Sequence, residues 1–215
     1  MAIAVVLFVV LRTFVLQTFV ITSGSMENTL LVNDYLLVNR LAYGARIPFT
    51  RKHLPGYSEP RRGDVVVFDP HHDPELKLVK RLIGMPGDTL WMRGGTLYIN
   101  GEEQVEPYVL HREPETDAWS DWFVWQRDAL VDTVDASTYR PTRDNWGPLV
   151  VPEGHYFMLG DNRDQSLDSR YWGPLATWRV EGRASLIYYS WDDRSVRPLP
   201  ALTAIRTERI FRRIR

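Results

Sequence analysis

Apolar positions run almost unbroken from Met1 to Ile21 (MAIAVVLFVVLRTFVLQTFVI), interrupted only by Arg12, Thr13, Gln17 and Thr18. A run of roughly 20 apolar residues is the length that crosses a bilayer as a helix. Residues 1–21 are therefore expected to be a single transmembrane anchor. An arginine in mid-span costs about 2.5–3.5 kcal/mol on insertion scales. The anchor is accordingly expected either to begin upstream of Met1, with Arg12 near an interface, or to let Arg12 snorkel. A cleavable signal peptide is disfavoured, because Met1-Ala2-Ile3 supplies no basic n-region and Thr22-Ser23-Gly24 is a poor cleavage site.

Beyond Ser25 the pattern changes to short β-type runs between turns. Leu30-Leu31-Val32 and Tyr35-Leu36-Leu37-Val38 flank Asn33-Asp34, and Val65-Val66-Val67-Phe68 has the continuous apolar character of a buried strand. Leu78-Val79-Lys80-Arg81-Leu82-Ile83-Gly84 reads as a strand with charges set inside it, closed by Pro86-Gly87-Asp88. Asn100-Gly101 predicts a two-residue hairpin, since both central positions need positive φ. From about residue 102 to 148 the chain turns polar and Trp-rich (Trp119, Trp122, Trp125, Trp146), as an inserted subdomain would. Strand patterns resume at 149–151, 155–159, 179–180 and 184–189. The expected fold is mostly β: an antiparallel β core (22–101 and 149–200) with a smaller inserted β-rich subdomain (102–148). A basic tail, 201–215, follows and is expected to be a solvated end rather than an amphipathic helix on a membrane.

Composition narrows the chemistry. With 26 basic and 27 acidic residues the net charge is −1, which gives no general pull toward nucleic acid. The chain has no cysteine, which excludes disulfides, thiolate metal sites and a cysteine nucleophile. None of the five histidines sits in an H-E-x-x-H or a recognisable triad motif, and there is no G-x-S-x-G elbow or phosphate loop. No metal or cofactor is expected.

Three segments carry candidate chemistry. Ser23-Gly24-Ser25-Met26 directly follows the apolar run; taken alone it fits a flexible junction better than an exposed nucleophile. Lys80-Arg81 lies in an apolar strand. Buried, such a lysine loses affinity for its proton and can serve as a base near pH 7; the even alternative sets both side chains on the solvent face of an edge strand. Gly160-Asp161-Asn162-Arg163-Asp164-Gln165-Ser166-Leu167-Asp168-Ser169-Arg170-Tyr171-Trp172-Gly173 packs acids, arginines and hydroxyls into one loop, a composition usually structural.

In order and position, these segments together with Arg62-Gly63-Asp64-Val65-Val66-Val67-Phe68 resemble the boxes of bacterial type I signal peptidase. The run Lys80 to Asp88 is the most specific. The resemblance implies a membrane-bound Ser-Lys serine endopeptidase that cleaves signal peptides of exported preproteins after small-x-small motifs. It implies one span in the bacterial plasma membrane, with the catalytic domain on the extracytoplasmic side and the lipid bilayer as a partner; a monomer is expected. Carried onto matching positions, Ser25 is the nucleophile, Lys80 the base, and Ser23 with the Ser25 N–H the oxyanion hole. Ser166 orients the lysine, and Asp161, Arg163, Asp168 and Arg170 hold the loop. Ile21, Met26, Leu30, Leu78 and Val79 line shallow substrate pockets. Thr22 and Glu27-Asn28 depart from the prolines common at these places in the family, which alters the backbone near Ser25 without removing a catalytic group. Two rivals fit less well: a self-cleaving repressor, which would need an N-terminal DNA-binding unit, and a tethered β-domain binding a partner through its Trp-rich insert.

Overall fold

The computed structural model describes residues 15–47, 50–71, 73, 76–113, 116–117 and 119–215. Among the described residues, eleven strands form two antiparallel sheets. The larger has seven strands, in the order β1 (Leu16–Val20), β2 (Asp34–Asn39), β11 (Val180–Ser190), β3 (Val65–Phe68), β4 (Leu78–Gly84), β9 (His155–Leu159) and β10 (Leu175–Ala176). The smaller has four, in the order β7 (Glu102–Glu103), β6 (Thr96–Ile99), β5 (Thr89–Arg93) and β8 (Trp146–Val150).

The period-two geometry of strands explains why β3 is apolar at every position. Val65 and Val67 face a core containing Met26, Leu30, Leu36 and Val38, while Val66 and Phe68 face the opposite core with Leu82, Met158 and Trp172. A strand buried on both faces reads as a continuous apolar run. A third core, built on Leu90, Met92, Trp146, Leu149 and Phe157, joins the small sheet to β9. The predicted Asn-Gly hairpin closes β6 on β7, with φ of 52° at Asn100 and 92° at Gly101.

Three expectations are corrected. Residues 16–20, assigned above to the anchor, form edge strand β1, paired in register from Leu16 opposite Asn39 to Val20 opposite Tyr35. An apolar run of this length satisfies its backbone equally well in a ladder, and β2 supplies the partner. Residues 1–14 lie outside the described residues, among which no helix is long and apolar enough to cross a membrane. The small sheet begins at Thr89 rather than near 102, because β5 pairs with β6 on one side and β8 on the other, and not with the large sheet. Within the insert, Trp146 is buried and Trp125 packs against the third core, whereas Trp119 and Trp122 are exposed.

The third correction concerns the basic tail. It is not a solvated end: Phe211 and Arg212 exchange backbone hydrogen bonds with Ile187, and Ile214 enters the first core. Arg209, 5% exposed, forms a paired-nitrogen ion pair with Asp34, which is wholly buried, and also donates to Thr29 O at 3.0 Å. The Asp34 carboxylate in turn accepts the Leu31 N–H at 2.8 Å, so the tail fixes the turn that follows Ser25. Removing one partner of a buried pair leaves an uncompensated charge, at a cost of about 3–5 kcal/mol. Arg209→Met is therefore expected to lose about 3–5 kcal/mol in urea unfolding; a loss under about 1 kcal/mol would mean that Asp34 is hydrated and the tail does not brace the turn.

Candidate active site

Ser25 lies in a single 3-10 turn, Gly24–Met26, at the end of β1. The turn is fixed from two directions. Leu30 N–H donates to Met26 O at 2.7 Å, closing the chain behind it. Asn162 donates its backbone N–H to Ser25 O and its side-chain Nδ2 to Gly24 O, both at 3.1 Å. Asn162 was not singled out in the sequence; it is the only amide in a run otherwise read for its charges and hydroxyls until Gln165, and nothing local marks it as the residue that grips the turn.

Lys80 comes from β4, opposite Val66 of β3. It is 3% exposed, and Ser25 is 8% exposed. Its Nζ donates to Ser25 Oγ at 2.6 Å and contacts Val79 O at 3.3 Å. Burial pushes the ammonium down to about 8, against the opposing pull of the Asp168 and Asp161 carboxylates. Ser23 Oγ stands 3.4 Å from Ser25 Oγ, on the same side of the turn.

The flanking charges that a sequence reading leaves ambiguous are each matched. Arg81 is 1% exposed and holds Asp161 through two nitrogens, at 2.8 and 2.6 Å, while its third nitrogen donates to Gly63 O at 2.7 Å. The Tyr108 ring covers the guanidinium at 3.8 Å. Arg170 meets Asp168 through two contacts of 2.8 Å and donates to Arg163 O at 2.7 Å. Burial alone would push the Asp168 carboxyl up; the Arg170 charge and its hydrogen bond outweigh this and hold it below the usual range. Asp168 also caps the short helix α1 (Ser169–Trp172) and accepts the Gly160 N–H at 3.1 Å. Arg163 donates to Glu106 at 2.6 Å and to Gly160 O at 3.2 Å. Asp161, Arg163, Asp168 and Arg170 are thus each buried and ion-paired.

A cleft of about 190 Å3 opens beside the pair, lined by Ile21, Ser23, Ser25, Met26, Leu78 and Val79 among others. Two larger cavities, 810 and 940 Å3, include neither Ser25 nor Lys80 and bear no relation to this chemistry. One expectation fails here. Leu30 does not line the cleft but is wholly buried in the first core, because its N–H bond to Met26 O turns it inward. Ser166 is buried in the charged loop, and among the described residues the hydrogen bonds of Lys80 Nζ go to Ser25 and Val79.

A lysine whose amine sheds its proton near pH 8, bonded to a buried serine hydroxyl beside an apolar cleft, can do nucleophilic acyl-transfer chemistry without histidine or metal. Comparison with known proteins places the chain in a family. The profile described as "Signal peptidase, peptidase S26" matches residues 1–191. Signal peptidase I of Pseudomonas fluorescens is 38% identical over 215 residues, covering 93% of this chain and 75% of that protein. Signal peptidase I of Aquifex aeolicus is 32% identical, over 91% and 85% of the two chains. A crystal structure of a signal peptidase I from Enterococcus faecalis aligns at 34% identity and TM-score 0.40, over 60% of this chain and 98% of that one. The chain belongs to the S26 family of signal peptidases, membrane-associated serine proteases that cleave signal peptides, and it is a peptidase.

Gly160 lets the loop lie against the turn. A Cβ there would fall 2.2 Å from Ser166 Oγ and 2.5 Å from Ser25 O, so backbone must move. Misplacing a reacting group by about 1 Å can cost about 10²-fold. Gly160→Ala is expected to lose peptidase activity on that scale while keeping its circular dichroism; activity within a few-fold of the parent would show that the turn relaxes without consequence.

Proposed function

We propose that Ser25 is the nucleophile and Lys80 the general base of a signal peptidase that cuts exported preproteins after a small-x-small motif. The observation that carries this reading is the 2.6 Å contact between Lys80 Nζ and Ser25 Oγ in a site that lowers the lysine pKa to about 8. Neutral Lys80 takes the Ser25 proton as Oγ attacks the scissile carbonyl. The Ser25 N–H and the Ser23 hydroxyl stabilise the oxyanion, a charge present only after attack. Collapse breaks the C–N bond, and the proton on Lys80 passes to the leaving amine. A water then attacks the acyl-serine, Lys80 takes its proton, and Ser25 is regenerated as the signal peptide leaves with a new carboxylate.

The cleft volume of 190 Å3 supports a preference for small side chains before the cut, since ligand pockets for larger groups run to about 300–1,000 Å3. Ile21, Met26, Leu78 and Val79 are its apolar walls in this reading. Ser166 keeps an orienting role toward Lys80, supported by the burial of its hydroxyl in the loop that packs against the Ser25 turn. Asp161, Arg163, Asp168 and Arg170 act indirectly, by holding Gly160 and Asn162 against the Ser25 turn. The enzyme works as a monomer at the extracytoplasmic face of the bacterial plasma membrane, tethered to it as a single-pass protein. Its partners are the bilayer and the signal peptides of preproteins, and neither nucleic acid nor a cofactor enters the reaction.

Because the neutral lysine is the active form, kcat/KM is expected to rise about tenfold per pH unit below about 8 and to level above it. A flat profile from pH 6 to 10 would remove Lys80 from the base role. Ser25→Ala and Lys80→Arg are both expected to abolish cleavage of a preprotein in detergent, since a guanidinium stays charged. Cleavage by either variant at the wild-type site would overturn the dyad.

A further inference from the structure

A second groove, of about 450 Å3, shares the Ser25 turn but none of the first cleft's lining. Its wall includes Gly24 and Glu27 from the turn, Gln165 from the charged loop, and Asp192, Asp193 and Arg194 after β11. The two clefts differ in kind: the first is walled mostly by apolar side chains, the second by charged and amide groups. In the proposed reaction the acyl half of the substrate occupies the first cleft, beside Ser23, Ser25 and Lys80. The leaving half must then depart from the other side of the turn, and the first residues of a mature exported chain lie there.

Glu27 stands at this junction. Arg112 holds its Oε1 at 2.6 Å, and the Glu27 side chain is 21% exposed. Its other oxygen, Oε2, has no hydrogen-bond partner among the described residues. It lies 3.7 Å from the position a Cβ would take on Gly24, the residue before the nucleophile. Asp192 is already paired with Arg206 at 3.1 Å, whereas Asp193 is exposed and makes no ion pair among the described residues. The carboxylate oxygens of the lining that make no hydrogen bond or ion pair among the described residues are thus Glu27 Oε2, Asp192 Oδ2 and both oxygens of Asp193, and Arg194 is the one lining cation outside the Asp192–Arg206 pair.

We infer that this groove is the subsite for the first residues of the mature chain, and that Glu27 makes it select a basic residue there over an acidic one. The inference rests on Ser25 being the nucleophile. The amine released at the cut takes up a proton from solvent, and it does so on the same side of the turn as the carboxylate. A carboxylate held by a neighbouring guanidinium at one oxygen keeps its second lone-pair edge directed at an incoming cation. Glu27 touches the leaving segment and not the reacting carbonyl, so its effect is on selectivity.

The test uses preproteins of one signal sequence carrying Lys, Gln or Glu singly at the first three mature positions, cleaved by the full chain in detergent. Wild type is expected to favour Lys over Glu by about threefold or more at one of these positions, the scale of a partly exposed charge pair. Glu27→Gln, which keeps the length and can still bond Arg112, is expected to erase the preference, and Glu27→Lys to invert it. All rates are referred to a peptide whose leaving group is an uncharged aniline with no mature residues, which separates selectivity from folding or general loss. A wild-type enzyme indifferent to charge at all three positions, or a Lys preference unchanged in Glu27→Gln, overturns the inference. Cleavage that persists in Ser25→Ala instead overturns the nucleophile assignment on which it rests, so the two failures are distinguishable.

Discussion

The energetic centre of this protein is an amine held out of water. Lys80 sits 3% exposed on a strand whose neighbours are apolar, and among the described residues its one side-chain hydrogen bond is to a hydroxyl. Desolvation penalises the ammonium more than the Asp161 and Asp168 carboxylates recover, so the group titrates near 8 rather than near its solution value. The acids must therefore be kept from neutralising it. Arg81 holds Asp161 and Arg170 holds Asp168, each through two nitrogens, and so each carboxylate spends its charge on a guanidinium. Were either arginine absent, an unpaired carboxylate nearby would favour the charged lysine.

The same ion pairs carry the mechanical load. Asp168 receives the Gly160 N–H, Arg163 reaches back to Gly160 O, and the loop so fixed offers Asn162 to the backbone of Gly24 and Ser25. From the opposite direction Arg209 grips Asp34 and Thr29, bracing the chain just after the turn. Buried ion pairs are a poor source of net stability, but they are demanding of geometry, and breaking one is costly. Here they fix a serine whose turn has only one helical loop of its own to hold it.

Local patterns made part of this legible. Val65–Phe68 announced a two-sided strand by being apolar throughout, and Asn100-Gly101 announced its hairpin through the φ values its turn requires. The family motifs pointed to Ser25 and Lys80, which the fold brings within 2.6 Å of each other. What stayed hidden depends on partners far along the chain. Arg81 could not be told from a solvent-facing arginine until Asp161, 80 residues later, was seen to meet it. Arg209 lies 175 residues from Asp34, so the tail's composition alone read as a solvated end. Residues 16–20 are apolar enough for helix or strand, and only the presence of β2 decides between them. The boundary of the small sheet was misplaced because a hairpin carries no mark of the sheet it joins; Leu90 opposite Leu149 settles it.

The most direct test of the account is the titration of Lys80 itself, followed by 13C NMR of the labelled ε-carbon in the folded Ser25→Ala protein, with Lys52 and Lys77 as internal references. The account predicts a midpoint near 8 for Lys80, well below its solution value of 10.5. A midpoint at or above 10.5 would mean that the site does not hold the amine away from water, and the claim that burial prepares this lysine to act on Ser25 would fall.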